Sequence, residues 1–164
     1  MLIDTGLARE KDKIIDNIKS IVKEESIENI DLFITHTHID HVENLITIAE
    51  LFKPCIYIGK EEKGNIDEMA CPVIEIERDT YLRNYGFDIL QTPGHTSGSI
   101  SLYYKSEFAI IGDCGLLSGR KKYIKDRILE ESVKKLVDLK CNIYIPSHGK
   151  IKTYEEFESE YSNK

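Results

Sequence analysis

Residues 35–41 read Thr35-His36-Thr37-His38-Ile39-Asp40-His41, which places three of the chain's five histidines and an aspartate in one short stretch. The apolar run DLFIT at 31–35 leads into it, and from His41 to Phe52 the residues Val42, Leu45, Ile46, Ala49 and Phe52 recur at helical spacing. The pattern predicts a strand, a polar turn and a helix. On a strand, side chains alternate with period two, so His36 and His38 point to the same side and can clamp one ion. Asp40 and His41 fall where the chain turns into the helix, so they aim at a neighbouring point and could serve a second ion.

Working outward, the other two histidines occupy similar places. His95 follows Pro93-Gly94 after the strand-like FDIL, and His148 follows Pro146-Ser147 after NIYI. Asp113 ends the run IIGD in the same way. A lone histidine is ordinarily a surface or satisfied core residue, and a lone Asp after Gly is ordinarily a turn. Here all of them stand at strand ends, where a packed core would not choose to put them. Imidazole nitrogens and carboxylates without a thiolate suit zinc, and also iron or manganese.

The stretches 35–41, 93–99 (PGHTSGS), 112–113 (GD) and 147–149 (SHG), taken in order, resemble the signature of the metallo-β-lactamase superfamily across nearly the whole chain. The resemblance implies an α+β fold, a metallo-β-lactamase-type αββα sandwich, expected to be truncated at its N-terminal sheet because Met1 stands three residues before Asp4. It also implies a ligand set. One metal takes His36, His38 and His95, the other Asp40, His41 and His148, with Asp113 and a water or hydroxide bridging the two. Two zinc ions are the expected cofactors. Asp4, in Asp4-Thr5-Gly6, resembles the family's strand-end aspartate that orients metal ligands. Asp40 is the candidate catalytic residue, able to hydrogen-bond the nucleophile and hand a proton to the leaving group.

The all-His/Asp set resembles glyoxalase II (hydroxyacylglutathione hydrolase) and the lactonases, which implies hydrolysis of a small ester, thioester or lactone. Many true β-lactamases place a cysteine where Asp113 stands; the adjacent Cys114 reads as a small buried residue. Arg120 and Lys121, in GRKK at 119–122, are candidates to hold a substrate carboxylate. Two other readings compete: a mononuclear iron enzyme resembling the persulfide dioxygenases, and a noncatalytic metal-binding domain.

A net charge of −7, with basic residues scattered among acids, disfavours nucleic acid as a partner and leaves a small molecule as the expected one. Four cysteines without a CxxC pair read as thiols of a reducing compartment, and no apolar run approaches the roughly 20 residues that cross a bilayer. A cytoplasmic protein without a membrane partner is expected. Exposed edges of a shortened sheet point to a homo-oligomer. At 164 residues, with no repeat or linker, residues 1–164 read as one domain. Further helices are expected at 12–25, 126–139 and 153–161, and further strands at 55–58, 73–76, 87–90, 100–104, 108–111 and 142–145.

Overall fold

The computed structural model describes residues 1–66, 70–115 and 127–162. Contacts divide the chain into two units, Met1–Glu75 and Ile76–Lys164.

The first unit carries a sheet in the order β1-β2-β3-β4, formed by Leu2–Ile3, Asp31–Ile34, Cys55–Gly59 and Val73–Ile76. β1 pairs parallel to β2, and β2 parallel to β3, in the register Asp31↔Cys55 to Ile34↔Ile58. Leu32, Phe33 and Ile34 are all buried, as expected of a parallel strand covered on both faces. Helix α1 (Lys11–Glu24) lays Ile15 and Ile18 on a core that includes Leu32, Ile34, Ile48, Ile56 and Ile58.

The helix expected over 41–52 is two helices, α2 (Ile39–Val42) and α3 (Leu45–Phe52). The break falls at Asn44, whose amide donates to the carbonyls of Thr5, Gly6 and Leu7 and whose backbone N–H meets Thr5 Oγ1. Ile46, which shares the helical spacing of 41–52, is exposed, and so is Ile21 of α1, although Ile14, Ile15, Ile18, Ile21 and Val22 also recur at helical spacing. At about 100° per residue Ile21 stands roughly 80° from the centre of the stripe formed by Ile14, Ile15, Ile18 and Val22.

The second unit carries six strands in the order β10-β9-β8-β7-β6-β5. They are β5 (Thr80–Leu82), β6 (Phe87–Gln91), β7 (Ile100–Tyr104), β8 (Phe108–Gly112), β9 (Ile143–Pro146) and β10 (Lys152–Thr153). β5 and β10 were not expected; at three and two residues they are too short to show a period. Helices α4 (Arg127–Asp138) and α5 (Tyr154–Ser162) complete the unit. Val133, Leu136 and Phe157 enter its core with Ala109, Ile111 and Tyr144. No helix among the described residues is long and apolar enough to cross a membrane.

Strand direction decides where the polar residues go. β1, β2 and β3 are parallel, so Asp4, residues 35–41 and the 3-10 turn Lys60–Asn65 all leave the first sheet at one edge. In the second sheet β6 and β8 are each antiparallel to β7, and β8 is parallel to β9. The chain therefore leaves β6, β8 and β9 at a common edge, followed by His95, Asp113 and His148.

Candidate metal centre

In the first unit the site is built on Asp4. Its carboxylate accepts from the Thr35 N–H at 2.7 Å and the Thr35 hydroxyl at 2.8 Å, and Oδ2 stands 2.7 Å from His41 Nδ1. With its proton given to Asp4, the Thr35 hydroxyl accepts from His36 Nδ1 at 3.1 Å. His36 Nδ1 and His41 Nδ1 are thus both occupied by hydrogen bonds, which fixes each ring in the tautomer whose Nε2 carries a lone pair. Thr5 ties the two loops further: its N–H and its hydroxyl both donate to the His41 carbonyl, at 2.7 and 2.9 Å.

His36 is buried and its Nε2 stands 3.1 Å from His38 Nδ1, both in the loop between the end of β2 at Ile34 and the start of α2 at Ile39. Two imidazoles bound to one zinc at about 2.0–2.1 Å in tetrahedral geometry have nitrogens roughly 3.3 Å apart, so this pair fits a shared cation. Asp40 is part-exposed, its Oδ2 3.7 Å from His41 Nε2.

In the second unit Asp113 is the common element. Its Oδ2 lies 3.4 Å from His95 Nε2 and 3.8 Å from His148 Nε2. Ser147 N–H donates to the Gly112 carbonyl at 2.9 Å, which fastens the two loops behind Asp113 and His148. The His95 loop is held by α4: Ser132 Oγ donates to the Pro93 carbonyl at 2.7 Å, and Gly94 at φ +127° lies so close to Leu129 that a Cβ would stand 2.5 Å from its Cα. Thr96 and Ser99 close the turn through a 2.7 Å hydroxyl pair.

Cys114 is buried in the core beside these ligands, and burial pushes its thiol up to about 12. Its place among Ala109, Ile111, Val133 and Leu136 is that of a small packing residue. Arg120 and Lys121 lie outside the described residues. Sequence reasoning missed Thr5, Thr35, Asn44 and Ser132, which touch loops or ligand rings; the first three are signalled only by nearness in sequence to a histidine or to Asp4, and Ser132 by nothing.

A family model described as the metallo-β-lactamase superfamily matches residues 1–68. A probable metallo-hydrolase of Methanocaldococcus jannaschii is 35% identical over 132 residues, covering 69% of this chain and 61% of the relative. A hydroxyacylglutathione hydrolase of Chelativorans sp. is 35% identical over 111 residues, covering 66% of this chain, and the match spans only 43% of that enzyme. Among solved structures, the BLEG-1 B3 metallo-β-lactamase matches with a TM-score of 0.73 at 21% identity over 96% of this chain and 84% of its own. TTHA1623 in a di-iron-bound form matches with a TM-score of 0.72 at 21% identity, over 96% and 85%. At that identity the structures establish a common fold.

Proposed function

The chain belongs to the metallo-β-lactamase superfamily and has its α+β fold, and we propose that within it the protein is a dinuclear metal-dependent hydrolase of small esters, thioesters or lactones. His36, His38 and His95 would hold one ion and Asp40, His41 and His148 the other, with Asp113 shared. The observation that carries this reading is the chemistry of the donor set: imidazoles and carboxylates on strand-end loops, with the neighbouring Cys114 packed in an apolar core. Such a set suits zinc and accommodates iron or manganese.

Bound divalent cations supply Lewis acidity, lowering the pKa of a water toward neutrality and polarising a scissile carbonyl. The chain's own residues do the rest. Asp4 and Thr35 hold the His36 and His41 rings so that their Nε2 atoms are unprotonated. Asp40, part-exposed beside His41, accepts a proton from the attacking water and returns it to the leaving group. The ester or thioester class is supported by the hydroxyacylglutathione hydrolase relatives, of which this chain matches only part.

The test is metal analysis of purified protein coupled to a panel of ester, thioester, lactone and phosphodiester substrates. About two ions per chain, with activity lost to a chelator and restored by zinc, iron or manganese, is the expected result. Well under one ion per chain sinks the reading.

A further inference from the structure

Thr37 is the residue between His36 and His38, in the loop that joins β2 to α2. There it meets Glu62, in the 3-10 turn that follows β3. Glu62 is only 3% exposed, unusual for a glutamate, and its Oε2 accepts both the Thr37 N–H at 3.0 Å and the Thr37 hydroxyl. The same hydroxyl accepts from Asn65 Nδ2 at 2.7 Å. One carboxylate thus grips backbone and side chain of the residue that spaces the two rings. Hydrogen bonds to an ionised acceptor are about twice as strong as neutral ones, and burying a carboxylate is costly without them.

We infer that Glu62 is a positioning residue for the metal site, acting through Thr37 to hold His36 Nε2 and His38 Nδ1, 3.1 Å apart, close enough to share one cation. The inference rests on the reading of these histidines as ligands. Glu62 grips the backbone N–H and the hydroxyl of Thr37. It restrains the segment from behind, as Asp4 restrains it from the preceding strand.

The experiment titrates metal-free wild type, Glu62→Ala and Glu62→Gln with Co²⁺, reading affinity by chelator competition and ligand geometry by visible absorption. Thermal melting of the metal-free forms reports folding separately. Glu62→Ala should bind Co²⁺ about 10–100-fold more weakly, with an altered spectrum. Glu62→Gln keeps an oxygen that accepts both Thr37 bonds, so it should recover to within about threefold of wild type. If Glu62→Ala does not fold, Thr37→Val removes both hydroxyl bonds, to Glu62 and from Asn65, while keeping the N–H bond, and should show a smaller loss in the same direction. Wild-type affinity in Glu62→Ala, or in Thr37→Val where that variant stands in, overturns the inference while leaving the metal reading intact. So does a Glu62→Gln as weak as the alanine variant, which would assign the effect to charge. A wild type that takes up no Co²⁺ overturns the metal reading and this inference together.

Discussion

Asp4 Oδ2 and His41 Nδ1 are 2.7 Å apart, although 37 residues separate them in the chain. Asp4 adopts a left-handed φ of +52°, a conformation that costs a non-glycine residue about 1–2 kcal/mol, and from there it also takes both donors of Thr35. Asp4→Asn keeps the size but replaces one acceptor oxygen with an amide, so it cannot serve all three partners. Metal affinity is expected to fall about 10–100-fold with the fold retained. Competition with a chromogenic chelator measures it; an unchanged Kd would mean that Asp4 does not orient the ring.

Gly94 is the position where backbone, rather than side chain, limits the site. A methyl there would meet the Leu129 Cα at 2.5 Å and N at 2.6 Å, and φ is +127°. Backbone of α4 cannot give way as a side-chain tip can. Gly94→Ala should therefore lose about 2–5 kcal/mol and weaken metal binding through His95. Gly64→Ala is the control, since nothing lies within 4 Å of its Cβ position; its change should stay within about 0.5 kcal/mol. Equal chemical-denaturation midpoints for the two variants would contradict the assignment.

How much of this was legible beforehand follows from distance along the chain. His36, His38, Asp40 and His41 stand in one motif, and the expected closeness of His36 and His38 is found at 3.1 Å, though in the loop beyond β2 and not on the strand. The strands at 73–76 and 100–104 were readable because apolar runs end at Gly, Pro or charge. The split between α2 and α3 was not, because Asn44 finds its partners 37–39 residues earlier. Glu62 sits in KEEK at 60–63, which reads as a solvated charge run; only the parallel register of β2 and β3 brings that turn behind Thr37. Ile21 and Ile46 fitted a helical period but lie outside the covered face.

The four cysteines are all free thiols, with Cys114 and Cys141 buried and Cys55 and Cys71 half-buried. Burial raises the Cys55 thiol, and Asp31 adds to the effect, so its reaction should be slow but measurable. Native protein at pH 8 should label at Cys55 and Cys71 only, and at all four in denaturant. Mass spectrometry after alkylation locates the sites. Native labelling of Cys114 or Cys141 at the same rate would mean that the second unit's core opens readily.

One buried pair contributes to the loss of stability at alkaline pH. Tyr144 is fully buried and stacked on Phe157 with ring centroids 4.1 Å apart; its hydroxyl donates to the Leu136 carbonyl at 2.9 Å and accepts the Cys141 N–H at 3.1 Å. Burial raises both the Tyr144 phenol and the Cys141 thiol above their ordinary values of 10.0 and 9.0. Above pH 9 the unfolded chain loses protons that the native state keeps, so their stabilisation is complete below that pH and declines as pH rises. Tyr144→Phe keeps the stacking but leaves two backbone groups without their partner, a cost of about 1–3 kcal/mol at pH 7. The urea midpoint of wild type should fall between pH 7 and 10.5, and that of Tyr144→Phe should start lower and fall less steeply. Parallel slopes would show that Tyr144 keeps no proton that the unfolded chain loses.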